Sequence, residues 1–132
     1  MRPFIAAIAL CLAALPAAAQ EAEIEGVISS QLEAFQSDDF GQAFSYASPM
    51  IQGMFRTPQN FGSMVQQGYP MVHRPGAVTY LELEGEPPLM RQKVMIQDAS
   101  GAFHTLEYEM LQDGDAWLIN GVQMLSAPAV GV

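Results

Sequence analysis

The chain has 132 residues, half of them hydrophobic and 14% charged, with fourteen acids against five bases for a net charge of -9. One domain is the ceiling at this length, and seven Phe, four Tyr and a Trp are enough to fill a core, which excludes a disordered, collagenous or coiled-coil chain. The same charge balance excludes a nucleic-acid partner, because phosphate neutralisation needs Lys and Arg that are not here.

Residues 1–19 carry one basic residue, Arg2, an apolar run from Phe4 to Leu15, a breaker at Pro16 and the small residues Ala17-Ala18-Ala19. This is the pattern of a secretory signal peptide, too short to span a bilayer, and it predicts cleavage after Ala19. Residues 20–132 then form a single domain in the periplasm or outside the cell, with no membrane segment. Cys11, preceded by Leu10 inside the apolar run, is a poor lipid-attachment site. Cleavage would remove the only cysteine, leaving a domain held by its core alone.

Within the domain, Ile24, Val27, Ile28, Leu32 and Phe35 recur at spacings of three and four, which predicts an amphipathic helix from Glu23 to Ser37. Asp38-Asp39 offers a cap for a short second helix burying Phe40, Ala43, Phe44 and Ala47. Ser48-Pro49 and Thr57-Pro58 each read as an N-cap followed by proline at the first helical position, the second starting a helix with Phe61, Met64, Val65 and Tyr69 inward. Residues 51–56 fit either a helix or a short strand.

Beyond Arg74-Pro75-Gly76 the period changes to two, predicting antiparallel strands over 77–84, 89–97, 103–112 and 116–124. A three-residue hairpin with Gly101 left-handed pairs Arg91 with Glu109 and Lys93 with Glu107. A two-residue turn at Asp113-Gly114 sets Met110 against Trp117 and Tyr108 against Ile119, and the register Glu84 opposite Leu89 sets Glu82 beside Arg91. These registers put Leu83, Leu81, Thr79 and Ala77 on one inner face with Gln92, Tyr108, His104 and Gln123. Opposite them, charged residues give way to an apolar patch of Val78, Met95, Phe103, Val122 and Met124. Such a patch suits a homodimer, unless loops or the tail 127–132 cover it.

Helices followed by a curved antiparallel sheet make an α+β fold. Gln31-Leu32, Phe35, Asp38-Asp39, Tyr46-Ala47-Ser48-Pro49, Gly68-Tyr69-Pro70, Arg74-Pro75, Gln92, Tyr108, and Asp113-Gly114 leading to Trp117, Ile119 and Gly121 carry a resemblance. They resemble a family of exported bacterial proteins catalogued as domain of unknown function 4864, within the nuclear transport factor two-like cone superfamily. Leu118 departs from related sequences, which often place a base between the Trp and Ile. The resemblance implies a four-stranded cone and no catalytic residues.

Steroid isomerases and small dehydratases on this cone set a carboxylate, histidine or tyrosine on the inner face, where burial tunes the pKa. Here the inner face carries no carboxylate, so Tyr108 and His104 would serve an isomerase or dehydratase only if another register brought an acid inside. The expectation is a non-enzymatic pocket lined by Tyr108, Gln92, Leu81, Ile119 and Trp117, with His104, Gln123 and Tyr69 near its rim. Its occupant would be a small apolar molecule. The alternative is a filled core with the outer patch joining a homodimer or an envelope protein. No cofactor or metal is expected: His73 beside methionines that fill core stripes is a weak copper signal, and Asp113-Gly114-Asp115 is explained by its hairpin.

Overall fold

The computed structural model describes residues 17–125; the predicted apolar run, Cys11 and the tail 127–132 lie outside them. Five helices precede four strands: α1 (Ala17–Gln36), α2 (Phe40–Ser45), α3 (Pro49–Phe55), α4 (Pro58–Gly68), α5 (Pro70–His73), β1 (Val78–Glu86), β2 (Leu89–Gln97), β3 (Phe103–Asp113) and β4 (Ala116–Met124). The strands form one antiparallel sheet in chain order. Among the described residues no helix is long and apolar enough to cross a membrane.

The helix boundaries follow from side-chain caps. Asp39, Ser48 and Thr57 accept hydrogen bonds from the backbone N–H groups of Gln42, Ile51 and Asn60, which would otherwise be orphaned at the starts of α2, α3 and α4. Pro49 and Pro58 occupy first-turn positions where no N–H is needed; residues 51–55 are helical, and Arg56, at φ +71, ends α3. Asp38 ends α1 with φ +54, and its carboxylate receives both Nη2 contacts of Arg74 at 3.0 Å and sits 2.8 Å from His73 Nε2. Arg74 also donates from Nη1 to the Phe35 carbonyl, tying α5 to the end of α1. The buried side of α1 begins at Ile24, so a chain starting at Gln20 keeps all of it.

In the sheet, the β2–β3 register is the predicted one, with Arg91 opposite Glu109, Lys93 opposite Glu107 and Gly101 at φ +92. The other two registers differ. At the first turn Glu86 faces Leu89, so Pro87-Pro88 alone make the corner and Glu84, not Glu82, lies opposite Arg91. Gly85 permits this tight return: it has φ +99, and a Cβ there would stand 2.9 Å from the Leu89 carbonyl oxygen. The last turn is Gly114-Asp115 with Asp113 facing Ala116; a positive-φ glycine in the first central position is the type II′ pattern. Met110 therefore faces Ile119, and Trp117 faces Gln112.

A bulge in each edge strand then changes which side chains point inward. Between Tyr80 and Leu83 the β1 register shifts by one residue, putting Tyr80 opposite Val94, Val78 opposite Ile96 and Thr79 opposite Met95. In β4 the shift leaves Asn120 as the extra residue, with Val122 opposite Tyr108, Gln123 opposite Glu107 and Met124 opposite Leu106. Val78, Val122 and Met124 consequently join the inner face, while Thr79 and Gln123 leave it. Of the expected outer apolar patch only Met95 and Phe103 remain outside, with Phe103 60% exposed.

The core lies between the sheet and α1, α2 and α4. Ile24, Ile28, Phe35, Val94, Ile96, Leu106, Tyr108 and Met110 are all fully buried in it. Phe35, Phe44, Phe55 and Phe61 form a connected aromatic cluster with ring centroids 5.3–5.8 Å apart along the chain of contacts through Phe61. On the solvent side Arg91 and Lys93 meet Glu84 and Glu82 at 3.5 and 3.6 Å, exposed pairs that contribute little each.

Candidate functional site

The segment Tyr46–Ser48 runs beside β4 as a fragment of a further strand. Ile119 N–H donates to the Tyr46 carbonyl and Ser48 N–H donates to the Ile119 carbonyl, each at 2.8 Å. The fully buried Ser48 hydroxyl bonds Asn120 Oδ1 at 2.7 Å, and Asn120 Nδ2 donates to Glu109 Oε2 at 2.8 Å. The Tyr-Ala-Ser-Pro and Trp-x-Ile-x-Gly pieces of the sequence thus meet in space, and the bulge residue Asn120 joins them. This junction fixes where α3 begins relative to the free edge of β4.

Between that edge and the helices lies a cavity of about 210 Å³. α1 supplies Gln31 and Phe35 to its walls, α3 supplies Ile51, Met54 and Phe55, and α4 supplies Phe61, Met64 and Val65. Ala47, Tyr69, Val72, Ile119, Gly121 and Val122 complete it, and none of the described residues that wall it is charged. The Tyr69 hydroxyl donates to the Val122 carbonyl at 3.1 Å, and Gln31 Nε2 donates to the Ala43 carbonyl at 3.2 Å. α3 has no fully buried residue, so this wall is the one with the least packing behind it.

Of the residues expected to line a pocket, Tyr69 and Ile119 do so. Tyr108 and Gln92 pair across β2 and β3 as predicted, but both are completely buried in the middle of the sheet and are not cavity walls. α1 fills that space: the Tyr80 hydroxyl, turned inward by the bulge, donates to the Glu25 carbonyl and bonds Ser29. Trp117 is also core, at 2% exposure, and its indole nitrogen has no partner among the described residues. Leu81 lies in the β1 bulge, and Gln123 points to the outer face beside Glu107. Val122, expected outside, is a wall of the cavity.

The Gln92 side chain holds the β1 bulge. Its Nε2 lies 2.8 Å from the Lys93 carbonyl, 3.0 Å from that of Leu81 and 3.4 Å from that of Glu82; with two hydrogens to give, the first two are the principal bonds. Tyr108 has a different position. Burial pushes its phenol well above the ordinary range, with the Tyr80 and Tyr69 phenols adding to the shift, and its hydroxyl has no partner among the described residues. Replacing Tyr108 by Phe removes an unsatisfied buried polar atom. We expect stability unchanged or raised by about 1 kcal/mol in urea denaturation, and no effect on occupancy of the cavity.

His104 is engaged at the β2–β3 hairpin, where its Nε2 lies 2.7 Å from Asp98 Oδ2. Hydrogen bonds from Ser100 and His104, then from the Ala102 and Ser100 backbone, hold the Asp98 carboxyl well below the usual carboxylate range. A folded-state pKa depressed below the unfolded value of 3.8 stabilises the fold above that pH, and the contribution is lost as pH falls below it. Asp98→Asn is therefore expected to lower the urea midpoint at neutral pH, with the difference from the native chain narrowing below pH 3.8.

Helices laid over a four-stranded antiparallel open sheet define an α+β fold. The sequence matches the family described as "Domain of unknown function (DUF4864)" over residues 17–132, and the chain belongs to that family. Among solved structures it is similar to Aln2 from a Streptomyces species, with 11% identity, a TM-score of 0.54, and coverage of 83% of this chain and 92% of that one. An NTF-2 like protein of unknown function from Burkholderia xenovorans shares 13% identity at a TM-score of 0.48, over 83% of this chain and 90% of its own. The likeness to Aln2 is one of fold alone. No curated protein matches the sequence.

Proposed function

We propose that this chain is an exported, non-enzymatic binding domain that takes a small, largely apolar molecule into the cavity between α1, α3, α4 and β4. The observation that carries the reading is the cavity itself: about 210 Å³ walled by apolar side chains and two fixed polar groups, next to the buried core. Apolar walls gain by exchanging water for a ligand, and few polar groups suffice to orient it. The N-terminal pattern of a basic residue, an apolar run and Ala17-Ala18-Ala19 supports export.

The isomerase or dehydratase reading needs an acid inside, and Glu107 and Glu109 lie on the outer face. The homodimer reading keeps two of its five residues outside, Met95 and Phe103. Binding is tested by native mass spectrometry of the chain and of Met64→Trp, in which the indole fills the cavity, both purified gently from the native compartment. The reading predicts a chain beginning at Gln20 with a small added mass that leaves on denaturation and is absent from Met64→Trp. A native chain that carries nothing and takes up neither p-xylene nor p-cresol would contradict it.

A further inference from the structure

The cavity is apolar but not chemically blank. Gln31 is 2% exposed, and its orientation is fixed by chemistry: the Ala43 carbonyl can only accept, so the amide nitrogen must face it and Oε1 must face away. Oε1 has no partner among the described residues. The orphan oxygens of Gln92 and Tyr108 are sealed in the core, whereas Gln31 is a wall of the open volume. Tyr69 presents the same chemistry. Its single O–H is given to the Val122 carbonyl, which leaves the phenol oxygen with acceptor capacity only.

From these two acceptors we infer that the cavity selects a neutral ligand carrying a hydroxyl or N–H donor, bound through Gln31 Oε1; this inference rests on the binding reading above. A charged ligand does not fit, because the described walls hold no base to meet an anion and no acid to meet a cation, and an unpaired charge is costly out of water. Size narrows the class further. A cavity of roughly 150 Å³ takes a benzene ring, so about 210 Å³ takes one substituted ring or a short chain of similar bulk. A donor that leaves water on entry regains its hydrogen bond at Gln31, while an isostere without the donor leaves Oε1 unpaired.

The test compares p-cresol with p-xylene, which differ by a hydroxyl in place of a methyl, by calorimetric titration of the native chain and of Gln31→Met. The ratio of the two dissociation constants cancels their shared apolar contacts. We expect the preference for p-cresol over p-xylene to fall roughly five- to tenfold in Gln31→Met, the loss of one neutral hydrogen bond. An unchanged ratio, or a native chain that takes p-xylene and refuses p-cresol, overturns the role of Gln31 and leaves the cavity reading standing. Uptake of neither probe at millimolar concentration overturns both. Should Gln31→Met not fold, the side-chain amide resonance of Gln31 in the native chain gives the answer: it shifts with p-cresol and not with p-xylene, and equal response to both contradicts the inference.

Discussion

Replacing Phe35 by alanine is expected to destabilise the domain by about 3–5 kcal/mol, the range for removing a fully buried aromatic side chain whose surroundings collapse only in part. Phe35 has no exposed surface, and its ring lies 5.8 Å from Phe61 and 6.3 Å from Phe40, so one side chain joins α1 to α4 and to the start of α2. It is also a wall of the cavity, so the lost volume adds to space that is already open and cannot be recovered by repacking from that side. Domains of this size have total stabilities of roughly 5–15 kcal/mol, so much of the reserve would go. Urea denaturation should show a large fall in midpoint with little change in slope; a loss below about 1 kcal/mol would mean that the aromatic cluster is not the centre of the helical layer.

A comparable effect is expected from Gln92→Glu. The substitution keeps the shape and replaces the amide donor, which serves the Lys93 and Leu81 carbonyls, with a carboxylate that faces those same oxygens in a fully buried site. An uncompensated buried charge costs of the order of 3–5 kcal/mol, unless the group takes up a proton. The glutamate pKa is then raised in the folded state, so the penalty is greatest at neutral pH and shrinks as the pH falls toward the acid's unfolded value. Hydrogen exchange should localise the damage to β1, whose bulge Gln92 holds. A Gln92→Glu chain as stable as the native one at neutral pH would show that the bulge does not depend on this side chain.

Much of the fold could be read from local chemistry. Three capped helix starts, two of them followed by proline, and the Gly101 hairpin depend on side chains within a few residues of one another, and the structure has them where the sequence places them. The edge strands were harder because a bulge is a single-residue change of parity. Its signal was present: Val78, Tyr80 and Leu83 in β1, and Trp117, Ile119 and Val122 in β4, are inward apolar residues whose spacing of two is broken once by three. Reading strict alternation through that break sent Val78, Val122 and Met124 outward and Gln123 inward.

The cavity was legible only in part, through Tyr69 and Ile119. The strand alternation places Tyr108 and Gln92 on the correct face, but whether that face is hollow or filled depends on where α1 crosses it, and contacts such as Tyr80 with Glu25 and Ser29 span more than fifty residues of sequence. Gln31 looked like one polar residue of an amphipathic helix. Nothing in its neighbours shows that the Ala43 carbonyl would claim its nitrogen or that the residue would become a wall of the cavity.

The most direct measurement is amide chemical-shift mapping of the native chain titrated with p-xylene. The account predicts saturable shifts gathered on α3, α4 and β4 around Ile51, Met64, Val65, Tyr69 and Val122, with little response from the outer-face strand residues Arg91 and Lys93. Shifts centred on Phe103 and Met95, or no saturable response at all, would contradict it.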